Sequence, residues 1–159
     1  MKVYKHNITV SEETIDAIGH VNNVQYIQWM QDAAIQHSNN TGCTKLTEVK
    51  WAAWVVRTHN IEYFRPAYVN DQITVLTWVS NFRKVRSLRK YKFIRDSDGA
   101  ILAKGETDWV FVDVNNGKPH RIPADVMNTF ILVSKEQEPW LIQSKAVALS
   151  AINDRFMRF

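Results

Sequence analysis

Cysteine is almost absent: Cys43 stands alone among 159 residues. That excludes an intramolecular disulfide and any multi-cysteine zinc site, and His6, His37, His59 and His120 show no metal-ligand spacing, so no metal is expected. Long apolar runs are missing as well. No stretch approaches the roughly 18 uninterrupted apolar residues of a membrane helix, so no membrane span is expected. The opening Met1-Lys2-Val3-Tyr4-Lys5-His6-Asn7 lacks the apolar core of a secretory signal. Five glycines and four prolines lie scattered, with no low-complexity tract. Charge of one sign is scarce too: the net +4 is a mild bias toward anionic ligands and far short of a basic tail. Tyr91 and Phe93 interleave cations, but no nucleic-acid motif accompanies them, so no nucleic-acid partner is expected. A soluble cytoplasmic chain is the reading these absences leave.

What the chain does have is aromatics, six Trp, seven Phe and five Tyr, and a length suited to one well-packed domain. Lys2 to Val10 alternates like an edge strand. A polar stretch from Ser11 to Asn22 leads into the clearest helix, Val24 to His37, with Tyr26, Ile27, Met30, Ala33 and Ala34 on one stripe and Gln25, Gln28, Asp32 and Gln36 opposite. Asn22 or Asn23 suits its N-cap, and Asn39-Asn40-Thr41-Gly42 its end. After a short connection come four segments rich in β-branched and aromatic residues: Trp54 to Phe64, Gln72 to Phe82, Ser87 to Arg95 and Ile101 to Val114. Turn chemistry separates them, with Asp98-Gly99 the best hairpin signal. Pro123 to Met127 suits a short helix. One helix against five strands is an α+β arrangement with a long antiparallel sheet. Trp78 and Leu76 lie opposite Ile73, Val75 and Val79 on their strand, which puts apolar residues on both faces and favours an oligomer.

The run Asp16-Ala17-Ile18-Gly19-His20-Val21-Asn22-Asn23-Val24-Gln25-Tyr26 resembles the active-site signature of the hotdog thioesterases, in the branch of 4-hydroxybenzoyl-CoA thioesterase and the plant acyl-carrier-protein thioesterases. The element order agrees. Trp109-Val110-Phe111-Val112-Asp113 and Gly117-Lys118-Pro119-His120-Arg121-Ile122-Pro123 look like the family's final strand and exit. The likeness covers residues 3 to 130. It implies a hotdog fold, a long central helix wrapped by a five-stranded antiparallel sheet, over residues 1–131; the likeness does not account for 132–159, an extension of unassigned structure expected to pack on the same domain. It also implies a homodimer or homotetramer, and an acyl-CoA or acyl-ACP substrate with no cofactor beyond coenzyme A itself.

The same resemblance assigns roles. Asp16 matches the acid that acts as nucleophile or as general base for water. The Asn23 N–H matches the oxyanion donor at the helix start, where unpaired N–H groups and the helix dipole favour developing negative charge. His20 would assist proton transfer or polarise the carbonyl. Asn22 and Tyr26 fall at substrate-binding positions, and Arg83, Lys84 and Arg86 where relatives hold coenzyme A phosphates. Two departures stand out: Ile18 occupies the place of an Asn in the plant branch, and Asn23 that of a His in some bacterial relatives. For Arg89, Lys90, Lys92 and Arg95 the residues themselves suggest only the solvated face of an edge strand. Trp29, Trp51 and Trp54 are candidates for an acyl pocket or for plain core or interface residues, His37 for a hydrogen-bonded core residue, and Cys43 for an inert thiol. A hotdog hydratase or dehydratase, or a non-catalytic acyl-CoA-binding module, are the alternatives to a thioester hydrolase.

Overall fold

The computed structural model describes residues 2–139. Its elements are β1 (Tyr4–Thr9), α1 (Asn23–Thr41), α2 (Cys43–Val49), β2 (Ala52–Tyr63), β3 (Gln72–Arg83), β4 (Arg86–Arg95), β5 (Ile101–Asp113) and α3 (Ala124–Met127). The strands form one antiparallel sheet in the order β1-β3-β4-β5-β2. The sheet curls around α1, which is the hotdog arrangement the sequence implies.

α1 starts where Asn22 caps it: the side-chain oxygen accepts from Val24 N at 3.0 Å. It ends at Gly42, whose φ of 84° is the left-handed conformation that glycine adopts without a Cβ penalty. Four residues beyond His37 therefore remain helical. The connection that follows is not plain loop but α2, which packs Cys43 and Thr47 inward. Along α1 the stripe Tyr26, Met30, Ala33, Ala34 and His37 is buried, together with Trp29. It meets Ile73, Val75, Tyr91, Phe93 and Ala103 of the sheet in one apolar core. The closest approach is at Gly105, where an added Cβ would lie 2.9 Å from Met30 Cε. A glycine in mid-strand serves here to let the helix settle onto β5.

Two expectations are corrected and one is narrowed. The basic run on β4 does not face water along an edge, because β4 is the middle strand of the sheet. Arg89 is 4% exposed and Lys92 is fully buried, with burial first and then the neighbouring Lys104 pushing the Lys92 ammonium down to about 8. Arg95 is held by Asp71 and Asp98, each at 3.2 Å. Nor do Leu76 and Trp78 present a bare apolar face. They cluster with Val133 of the same chain, whose N–H donates to Val79 O at 3.0 Å. That carbonyl sits at the irregularity in the β3–β4 ladder between Val79 and Asn81. Among the tryptophans, Trp51 is outside the core, which leaves the interface alternative for it. It is exposed on a residue with φ of 54°. The part of the extension beyond residue 139 lies outside the described residues.

Candidate active site

Asp16 sits in a loop closed on itself by hydrogen bonds. Its N–H donates to His20 O at 2.7 Å and its own carbonyl accepts from Gly19 N at 3.1 Å. Its side-chain Oδ1 accepts from Ile18 N at 3.0 Å and His20 N at 3.2 Å. An Asp followed three residues later by a glycine favours such a turn: the carboxylate bonds the backbone ahead of it, and Gly19 takes a φ of 86°. The turn is anchored from outside by Val21 N to Ala67 O at 2.9 Å and Asn22 N to Thr14 O at 2.7 Å. One carboxylate oxygen is thus committed to the turn. The other, Oδ2, accepts no hydrogen bond among the described residues.

The same loop delivers the start of α1. Gln25 N bonds Asn22 O at 2.9 Å and Val24 N bonds the Asn22 side chain. The Asn23 N–H ahead of them donates to nothing among the described residues, and the residue is exposed. It is an unpaired donor at the positive end of a 19-residue helix. Asn22, expected as a substrate contact, has its amide oxygen committed to the cap. His20 is half-buried, its ring edge-on to Tyr68 with centroids 5.4 Å apart.

Tyr63 is a member of this site that the sequence does not announce. From the far end of β2 its hydroxyl donates to Asn23 O at 2.9 Å, pinning the first turn of α1 to the sheet. Burial raises its pKa, so the hydroxyl keeps its proton and remains a donor. Tyr26 lies underneath, 2% exposed and edge-on to Trp29, Tyr63 and Phe93. Burial is the main cause that drives its pKa far upward. A ring enclosed in this way supports the helix start from the core and presents almost no open surface in the single chain.

Arg83, Lys84 and Arg86 are not brought to Asp16 within one chain. They form the exposed β3–β4 hairpin turn, whereas the Asp16 loop is tied to Ala67 near the other end of β3. Twelve strand residues separate the two ends, about 35 Å at the usual rise. Arg86 is already paired with Asp108, which also receives Arg57 at 3.3 Å. Burial opposes ionisation of Asp108, but the hydrogen bonds and charges of Arg86 and Arg57 outweigh it and hold the carboxyl below the usual range.

A pocket of about 310 Å³ opens between the second half of α1, α2 and the sheet, walled by Ala34, Trp54, Val79, Phe82, Trp109 and Phe130 among others. Arg89 reaches it from β4. Its Nη1 donates to His37 Nδ1 at 2.9 Å and to Thr77 Oγ1 at 3.1 Å, and its guanidinium lies 5.3 Å from the centre of the Phe130 ring. Cys43, the single thiol, is fully buried nearby in the second core cluster. Among the described residues no group of three His, Cys, Asp or Glu side chains could hold a metal ion, and no helix is long and apolar enough to cross a membrane.

A long helix wrapped by a five-stranded antiparallel sheet is the architecture of the hotdog thioesterases. The chain belongs to the thioesterase-like superfamily, which it matches over residues 10–130. It is 27% identical over 125 residues to the acyl-CoA thioesterase YbgC of Haemophilus influenzae, spanning 77% of this chain and 90% of that one. To the long-chain acyl-CoA thioesterase FadM of Escherichia coli it is 23% identical over 104 residues, 65% of this chain and 79% of that one. Its fold superposes with a TM-score of 0.72 on Slr0204, a 1,4-dihydroxy-2-naphthoyl-CoA thioesterase from Synechocystis, at 18% identity over 80% of this chain and 94% of the other.

Proposed function

We propose that the protein hydrolyses an acyl-CoA thioester, with Asp16 as the base that activates water, or as the nucleophile itself, and the Asn23 N–H as oxyanion donor. The observation that carries this reading is the pairing of two unspent groups on one loop, the Asp16 Oδ2 and the Asn23 N–H. In the water route, Oδ2 takes a proton as hydroxide adds to the thioester carbon. The carbonyl oxygen becomes an oxyanion facing the helix start, where the Asn23 N–H donates to it. Collapse breaks the C–S bond, and the proton returns to the leaving sulfur from Asp16, with His20 as a relay. Acid and free thiol leave.

The site is completed by a second copy. β2 is an edge of the sheet and runs from Ala52 to Tyr63. Tyr63 holds the helix start, while Val55 near the other end is level with Val110 and, through it, with Arg86. Antiparallel pairing of β2 with the same strand of a second chain sets the Asp16 end of one protomer against the Arg83–Arg86 end of its partner. Arg83 and Lys84 would then reach the phosphates of coenzyme A from across the dimer. A reduced thiol at Cys43 fits a cytoplasmic enzyme.

The test is Asp16→Asn. Asparagine keeps a side-chain oxygen for Ile18 N and His20 N, so the turn persists and only charge and basicity are lost. Free-thiol release from a panel of acyl-CoAs should fall at least ~100-fold, about 2.7 kcal/mol of barrier, with the fold intact by circular dichroism. Undiminished hydrolysis by the variant sinks the assignment.

A further inference from the structure

Arg89 is unusual for a buried cation. Only 4% of it is exposed, yet it forms no ion pair with any carboxylate among the described residues. A guanidinium has five N–H donors and no acceptor, so His37 Nδ1 and Thr77 Oγ1 both accept from Nη1. Nε and Nη2 make no hydrogen bond among the described residues, although a buried cation ordinarily recruits a counter-charge. The group also lines the apolar pocket, with Trp54, Phe82 and Phe130 around the cavity. His37 and Thr77 hold one arm of the fork, and its central carbon lies over the Phe130 ring. The pocket lies along the second half of α1, about 16 Å or more from the helix start at the usual rise, so it is distinct from the Asp16 loop.

We propose that this pocket receives an organic carboxylate, its apolar body against Trp54, Phe82 and Phe130 and its anionic end on the Arg89 guanidinium. Burial in an apolar cavity makes such a charge-assisted pair selective, because a neutral end leaves the guanidinium unpaired. Glu48, also on the pocket wall, is exposed on α2. It repels a carboxylate at the mouth and so favours seating the anion at the inner end. Two sources share this chemistry. The anion is either the far end of an ω-carboxyacyl group still attached to its thiol, or the free acid that hydrolysis leaves. Assigning the pocket to either source rests on the thioesterase reading; the carboxylate site itself does not.

The full chain is titrated calorimetrically with octanoate and, separately, octanamide. Octanoate should bind at least ~10-fold more tightly, the scale of one charged hydrogen-bond pair. Arg89→Met should erase that difference and Arg89→Lys should restore part of it, with thermal unfolding showing both variants folded. Equal affinities for acid and amide in the unaltered protein, or no binding of either, overturn the proposal without recourse to any variant. Thiol release then separates the sources. A preference of ~10-fold or more for suberyl-CoA over octanoyl-CoA, lost in Arg89→Met, assigns the anion to the acyl terminus. Competitive inhibition by octanoate that disappears in Arg89→Met assigns it to the free acid. Absence of both effects in a protein that does release thiol overturns both source assignments, whereas selective octanoate binding without thiol release from any acyl-CoA overturns only the thioesterase reading.

Discussion

Removing one oxygen, Tyr63→Phe, isolates how the site is held from what the site does. The ring keeps its edge-on packing against Tyr26, centroids 5.2 Å apart, and only the 2.9 Å bond to Asn23 O disappears. Tyr63 is half-buried and a helix carbonyl ordinarily keeps its intrahelical partner, so no group is stranded without a hydrogen bond. The stability cost is therefore that of one ordinary hydrogen bond, about 0.5–1.5 kcal/mol. For a chain of this size that lowers Tm by only a few degrees. Catalysis is more sensitive, because the Asn23 N–H belongs to the turn that Tyr63 pins. A helix start displaced by about 1 Å can cost on the order of 100-fold in rate, and partial relief of the anchor should cost about tenfold. Because the Asn23 N–H is proposed to act on the developing oxyanion rather than on bound substrate, the loss should fall on kcat with KM nearly unchanged. Steady-state thiol release and a thermal melt of the same preparation decide it. A kcat within twofold of the parent, at a Tm lowered as expected, would refute a positioning role and leave Tyr63 as packing. A matched rise in KM would place it in substrate binding.

Two further outcomes follow from the same geometry. Gly19→Ala has open space for its methyl but must hold a φ of 86°, at a cost of about 1–2 kcal/mol. It should lower Tm and depress kcat together by loosening the Asp16 turn, and Gly19→Asn should be milder, since Asn tolerates that region; equal losses for both would show that strain is not the cause. Asp108→Asn should destabilise the protein at neutral pH. A carboxyl whose folded pKa lies below its unfolded value of about 3.9 contributes stability above that value and loses it as pH falls through the folded pKa. The gap in Tm between parent and Asp108→Asn should accordingly narrow as pH falls below about 3.9, and a gap that stays constant as the solution is acidified refutes the pairing with Arg86 and Arg57 as its source.

What could be read in the sequence was what is local. Asn22 as cap, Gly42 as terminator, the Tyr26–Met30–Ala33 stripe and the Asp98-Gly99 hairpin are all specified within a few residues, and the structure has each of them. So is the Asp16 loop, whose members are consecutive. α2 was hidden because Cys43-Thr44-Lys45-Leu46-Thr47-Glu48-Val49 carries weak helix formers and no clear stripe; packing against α1 and β2 decides it. Tyr63 lies 40 residues from Asn23, and nothing in either neighbourhood marks the bond between them. The basic run on β4 misled for a topological reason. Alternation turns Arg89, Tyr91 and Phe93 toward α1, but whether that face is wet depends on which strands flank β4, and strand order is not written in a single strand.

The covering of Leu76 and Trp78 changes how association should be argued. Apolar residues on both faces of β3 favoured an oligomer through the sheet face. With Val133 seated on those side chains and its N–H bonded to Val79 O, that part of the face is occupied by the chain itself. Among the described residues the sheet has two edges, β1 with six residues and β2 with twelve, and β2 is the longer. An exposed edge of that length is a pairing surface unless it is blocked. The placement of functional groups gives the pairing a purpose. In one protomer the groups proposed as acid and oxyanion donor stand at one end of the sheet, and the cationic turn and apolar pocket at the other. Edge-to-edge association is the arrangement of two such sheets that puts opposite ends together twice. The proposed dimer therefore rests on the division of the site along β2 rather than on leftover apolar surface.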